Sequence, residues 1–261
     1  MISRERLEGM APRAALAVKA RVAELRQSTD LFPLAAGPLA GDRSFQSALE
    51  YLRLGLSELA TAEIRSIDTR ELPASSLRLL VVMLREAGDE RLAHGLARVW
   101  LKGDLSGQIS PETRAIWELA YPRAFRSMVE THAKTARGLE ADLLQALMRE
   151  ESALDPKALS WAGAMGLCQL MPKTASWMAD RIRIPRPSKQ ALLEPELNIK
   201  LGAHYLSDLL NRSNGVKQFA LASYNAGEGS VARWKRNFGD DDVAAWVEQI
   251  PIDETRGYVK R

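Results

Sequence analysis

Two adjacent acids, Glu150 and Glu151, close a helical pattern over residues 139–154 whose apolar stripe is Leu143, Leu144, Leu147 and Met148. At about 100° per residue, Glu151 falls within roughly 10° of the centre of that stripe and Glu150 about 90° away from it. One carboxylate is therefore aimed inward and the other outward. A carboxylate on an apolar face is costly to hold charged, so its pKa rises and it can keep a proton near neutral pH, the condition for a general acid. The competing reading is that Glu151, near a helix end, escapes to solvent or pairs with an arginine.

Asp155-Pro156 stops the helix. Residues 160–172, Ser-Trp-Ala-Gly-Ala-Met-Gly-Leu-Cys-Gln-Leu-Met-Pro, follow as a loop of glycines and small residues that lets a polymer approach the backbone closely, or that serves plain turn chemistry. Further on, residues 221–231 read Leu-Ala-Ser-Tyr-Asn-Ala-Gly-Glu-Gly-Ser-Val; here Asn225 and Gly227 end one helix and another begins. Tyr224 and Asn225 at such a helix end offer an aromatic hydroxyl and an amide to a cleft, although Tyr224 is equally compatible with a core position whose hydroxyl is satisfied.

Taken together, these residues resemble the catalytic domain of the soluble lytic transglycosylases, a goose-lysozyme-like family. Glu151-Ser152 is similar to the family's glutamate–serine pair. The serine-to-proline loop with Gly-x-x-Gly-Leu-x-Gln-x-x-Pro is matched by residues 160–172, Tyr-Asn-Ala-Gly by residues 224–227, and the closing Glu-Thr-Arg-x-Tyr by residues 254–258. A helix carrying Asn198, Gly202 and Tyr205 is also similar. Two positions depart from the pattern: Cys168 stands where methionine is common, and Trp161 where proline is usual.

The resemblance implies an all-α, goose-type lysozyme-like catalytic domain over residues 121–261 that acts on peptidoglycan glycan strands. Glu151 would be its single acid and base. It would protonate the oxygen between N-acetylmuramic acid and N-acetylglucosamine, while the substrate's acetamido group stabilises the developing cation. It would then take the proton of the muramic 6-hydroxyl as a 1,6-anhydro ring closes. Glu150 cannot serve as a second carboxylate, because residues one apart on a helix do not face each other. Ser160 and Tyr224 carry over as groups orienting Glu151 and the acetamido group, Gln169, Met171 and Asn225 as cleft contacts, and Glu254 as a polar partner. Tyr258 ranks below these, since an aromatic there packs as readily as it binds. Neither a cofactor nor a metal is implied, and His94, His132 and His204 lack ligand spacing.

These residues must be positioned by helices, because the chain shows spacings of three and four almost throughout and little alternation. Before residue 121 the pattern gives short helices over residues 44–54, 56–67, 75–87, 90–101 and 111–119, after a Pro-, Gly- and Ala-rich loop over 31–41. They read as stacked αα-hairpins and resemble part of the superhelical platform that precedes the catalytic domain in larger family members. Residues 1–120 are accordingly expected to form this segment, which could bind protein partners, and the chain to be the C-terminal portion of a longer protein or a reduced relative of one. The family's closing motif lies next to Arg261, so a last helix is expected to be missing or disordered. Tyr121-Pro122 and the two prolines of residues 184–187 read as breaks.

At 261 residues with 46% hydrophobic content, the chain is long enough for one large or two modest cores. A net charge of +3 suits an acidic polymer and falls short of a nucleic-acid footprint; no basic run is interleaved with aromatics. Cys168, the single cysteine, excludes an internal disulfide and reads as a buried small hydrophobe. No stretch approaches the roughly 20 apolar residues of a membrane span. Arg4, Glu5, Arg6 and Glu8 do not read as a signal peptide, so a periplasmic or cell-envelope location is inferred from the substrate alone. Two alternatives use the same elements. A lysozyme-type hydrolase would need a second acid such as Asp180 or Asp208, and a wall-binding scaffold would have lost activity.

Overall fold

The structure is a computed structural model that describes residues 34–110 and 113–261. The reading of residues 1–10, the start of the 31–41 loop, and Pro111 and Glu112 at the start of the fifth expected helix lie outside the described residues. The chain divides into two compact units, Met1–Arg123 and Ala124–Arg261. Tyr121 stacks on Trp117 (5.4 Å between ring centres) and meets His94 edge-on at 5.7 Å, which ties it to the first unit and places the division after Arg123.

In the first unit, α1 (Arg43–Arg53) pairs with α2 (Ser57–Ser66) and α3 (Ala74–Glu86) with α4 (Glu90–Trp100), and α5 (Arg114–Ala120) packs on α4. Local chemistry sets the starts: Asp42 accepts from the Phe45 N–H at 2.8 Å and Asp89 from the Leu92 N–H at 2.9 Å, each satisfying an orphan donor. The expected 31–41 loop contains a 3-10 turn, Gly37–Gly41, whose Leu39 is buried. The Ser76 hydroxyl donates to the carbonyls just before that turn, Ala35 at 2.9 Å and Ala36 at 3.0 Å.

The second unit holds α6 (Arg126–Thr135), α7 (Ala141–Ser152), α8 (Pro172–Arg181), α9 (Pro195–Arg212), α10 (Lys217–Ala226), α11 (Glu228–Phe238), α12 (Val243–Glu248) and α13 (Asp253–Lys260). Prolines open α8 and α9, where the missing N–H costs nothing. The longest element, α9, packs against α6, α7, α8 and α10 and buries residues on several faces, as a central helix must. Leu144, Leu147 and Met148 of α7 join its Leu201, Leu206 and Leu209 in one core. A smaller core around Phe219, Trp234 and Trp246 joins α10, α11 and α12.

Candidate active site

Glu151 occupies the last turn of α7. Its neighbour Ser152 turns inward and donates to the Met148 carbonyl at 3.0 Å. Ala153 (φ 51°) and Leu154 (φ 68°) then both adopt the left-handed conformation, which costs a non-glycine residue about 1–2 kcal/mol. Burial of Leu154, 1% exposed, holds the turn and fixes where the helix ends. The carboxylate is thereby placed at a rigid helix end beside the loop that follows.

That loop is stitched across itself. Met165 exchanges both backbone hydrogen bonds with Leu170 (3.1 and 3.0 Å), and Gly166 N–H donates to the Ala158 carbonyl at 2.9 Å. The Gln169 amide donates to the carbonyls of Ala158 (3.1 Å) and Gly166 (2.9 Å), and the Ser160 hydroxyl accepts from Ala164 N–H at 2.9 Å. Asn198 of α9, fully buried, secures the loop from beneath. Its Oδ1 accepts from Cys168 N–H at 2.8 Å, and its Nδ2 donates to the carbonyls of Met165 (2.9 Å) and Leu192 (2.7 Å). Gly166 has φ 73°, and a Cβ there would run into the Asn198 amide and the Leu192 carbonyl; one at Gly202 would run into the Cys168 sulfur. Both glycines are required by close approach. Trp161 stands fully exposed on the loop, and Met171, 42% exposed, precedes α8.

The hydroxyl that reaches Glu151 is that of Tyr258, which donates to Oε1 at 2.6 Å. Ser160 and Tyr224, expected to orient Glu151 and the acetamido group, make other contacts in this structure. Ser160 is used within the loop, and Tyr224 donates to the Cys168 carbonyl at 2.7 Å while packing against Tyr205 at 5.0 Å between ring centres. Asn225 Oδ1 accepts from the Thr255 hydroxyl at 2.6 Å, which ties the end of α10 to α13, and Glu254 is exposed in the first turn of α13. Tyr258 was detectable in principle, being four residues beyond Glu254 on the same helical face, but its partner lies 107 positions away.

Burial of Glu151 pushes its pKa up to about 7; the Tyr258 hydrogen bond opposes the rise, and the negative charges of Glu254 and Glu150 add to it. A carboxyl titrating there can release a proton in one step and recover one in the next at neutral pH. The two acids named for a hydrolase are otherwise engaged. Asp180 is held by Arg186 at 2.7 Å, which keeps its pKa below the usual carboxylate range, and Asp208 is paired with both Arg181 and Arg212 at 2.8 Å. His94 meets the Ala120 carbonyl at 2.5 Å and His132 meets Glu196 at 2.6 Å. Burial pushes the Cys168 thiol far above its ordinary range, an effect reinforced by Glu151. Cys168 should therefore resist a thiol-specific disulfide reagent at pH 8 in the native protein and react fully once the chain is unfolded; rapid native reaction would contradict its burial.

Comparison with known proteins bears directly on this geometry. Residues 128–247 match the family described as "Transglycosylase SLT domain". The second unit carries a transglycosylase SLT domain. The chain is 40% identical over 146 residues to the soluble lytic murein transglycosylase of Salmonella typhimurium, covering 55% of this chain and 22% of that protein. It is 37% identical over 145 residues to membrane-bound lytic murein transglycosylase C of Histophilus somni, covering 47% and 39% respectively. The chain thus spans less than half the length of these relatives. Among solved structures, the 70-kDa soluble lytic transglycosylase of Escherichia coli superimposes with a TM-score of 0.70 at 26% identity, over 98% of this chain and 40% of that one. An inactive glutamate-to-glutamine mutant of lytic transglycosylase Slt from Pseudomonas aeruginosa gives 0.65 at 28% identity, over 98% and 41%. The all-helical, lysozyme-like fold expected from the sequence is the fold found.

Proposed function

We propose that this protein cleaves the bond between N-acetylmuramic acid and N-acetylglucosamine in peptidoglycan without consuming water, with Glu151 as acid and then base. The observation that carries the reading is Glu151 itself: a half-buried carboxyl at a helix end, held by Tyr258 and titrating near 7. In the first step the Glu151 proton passes to the glycosidic oxygen as the bond to muramic C1 breaks, and the substrate's acetamido oxygen stabilises C1. In the second, the Glu151 carboxylate takes the proton of the 6-hydroxyl as O6 bonds to C1. The enzyme returns protonated and the product carries a 1,6-anhydro ring.

The unit from Ala124 onward is the catalytic domain in this reading, and the helices before it form a platform segment open to protein partners. Glu254 adds negative charge near the reacting centre. Ser160, Gln169, Met171, Tyr224 and Asn225 are assigned to the cleft: Met171 as an exposed contact, the others as groups whose hydrogen bonds hold the loop and α13 in place. The assignment to the cell envelope follows from the substrate; among the described residues no helix is long and apolar enough to cross a membrane.

Mass analysis of the soluble products released from purified peptidoglycan tests the reading. Muropeptides ending in 1,6-anhydromuramic acid are expected. Reducing muramic ends would instead make the protein a hydrolase, and no release at all would favour a wall-binding role.

A further inference from the structure

Helix α13, which delivers Tyr258 to Glu151, packs mainly on α10 and α12 rather than on α7. It buries only Thr255 and Tyr258, and a cavity of about 260 Å³ lies beside it, lined in part by Leu143, Leu147, Leu221, Tyr258 and Val259. Polar contacts add to that packing: Thr255 to Asn225, the Arg256 guanidinium to the Ile250 carbonyl (2.9 Å), Lys260 to Glu248 (2.6 Å) and Arg261 to Glu150 (2.6 Å). The last, beside the Tyr258–Glu151 bond itself, joins the end of α13 to the helix that carries Glu151. The Arg261 side chain folds back over Gly257, where an added Cβ would lie 3.0 Å from its Nη1. The Glu150 carboxylate it meets is only 13% exposed.

We infer that the Glu150–Arg261 pair is a positioning clasp that seats Tyr258 on Glu151 and neutralises the acid next to Glu151; the inference rests on the catalytic reading of Glu151. An exposed ion pair contributes little, but removing the partner of a largely buried carboxylate leaves an uncompensated charge. The groups whose charge or dipole bears on Glu151 are Glu150 on α7, Glu254 and Tyr258 on α13, Cys168 in the loop and Tyr224 on α10. Loss of Arg261 acts on two of them in one direction. Bare Glu150 and a displaced Tyr258 both favour protonated Glu151.

The test uses the full chain. In Arg261→Ala, the alkaline limb of the pH–rate profile is expected to move up by about half to one pH unit, with kcat falling about tenfold and KM little changed. Arg261→Lys should restore both, and Glu150→Gln, which removes the anion but keeps an acceptor, should move the limb down. A purely structural role would lower the melting temperature and the rate with the limb unmoved, and that result overturns the clasp. Carboxyl-carbon NMR titration of Glu151 in the same variants separates the two readings. If no anhydro product forms but the titration shifts upward in Arg261→Ala, the enzyme reading fails and the clasp stands; if product forms and the titration does not move, the clasp fails.

Discussion

Glu151→Gln is expected to lower product release by about a thousandfold or more, because an amide can neither deliver a proton to the leaving oxygen nor take one from the 6-hydroxyl, and general acid–base catalysis supplies roughly 10²–10⁴ for each such role. The same variant is expected to melt higher than the native protein at pH 8. The folded pKa of Glu151 is raised from 4.5 to about 7, so the folded state holds the proton more tightly than the unfolded chain does. The stability it confers is fully present below about pH 4.5, is lost as pH rises through 7, and amounts to about 3 kcal/mol across that window. Glutamine keeps an oxygen for Tyr258 and has no charge to bury, so its advantage should vanish at pH 4.5 and reach several degrees at pH 8. A carboxylate that weakens the fold at the pH where it acts is placed for chemistry, and an unchanged melting difference between the two pH values would argue against its burial. Loss of product without this stability signature would point to a damaged fold rather than a missing proton.

The inward aim of Glu151 follows from helical arithmetic alone, since three of the four stripe residues that define its face are found in the core. The five short helices before residue 121 were likewise legible to within a few residues, because most are bounded by a proline, a glycine or a capping aspartate. What periodicity could not supply was anything joining distant parts of the chain. Glu150 read as outward-facing, and it is outward relative to the α7 stripe; its cover comes from Arg261, 111 residues on. Tyr258 read as able to pack or to bind; its ring packs, at 6% exposure, and its hydroxyl lies on Glu151. Pattern places a ring on a face, while the destination of its hydroxyl depends on how α13 lies against α7. Ser160 and Tyr224 both belong to recognisable motifs, but linear pattern does not show that the Ser160 oxygen accepts from the Ala164 N–H or that the Tyr224 hydroxyl donates to the Cys168 carbonyl.

Asn198 shows how much of the site is held from outside it. Asn198→Ala leaves the Cys168 N–H and the Leu192 carbonyl without the partners they have now, in a place with no exposure to water, while the Met165 carbonyl keeps the Leu170 N–H. Each stranded group costs about 1–3 kcal/mol, so a total of about 3–5 kcal/mol is expected after some relaxation, enough to lower the melting temperature of the unit by about 10 °C or more. Asn198→Asp should be no better, since a carboxylate can accept from Cys168 N–H but faces two carbonyl oxygens it cannot donate to, and carries a buried charge as well. Activity should fall further than stability at temperatures where both variants remain folded. Cys168 would lose the bond that fixes its backbone, its carbonyl is the acceptor of Tyr224, and its sulfur lies against Gly202 of α9, so the loop would shift as a body beside Glu151. Thermal melts read alongside product release at 20 °C distinguish the outcomes. A variant that melts low but retains native turnover would confine Asn198 to stability, and joint loss would assign it the register between α9 and the loop beside the acid.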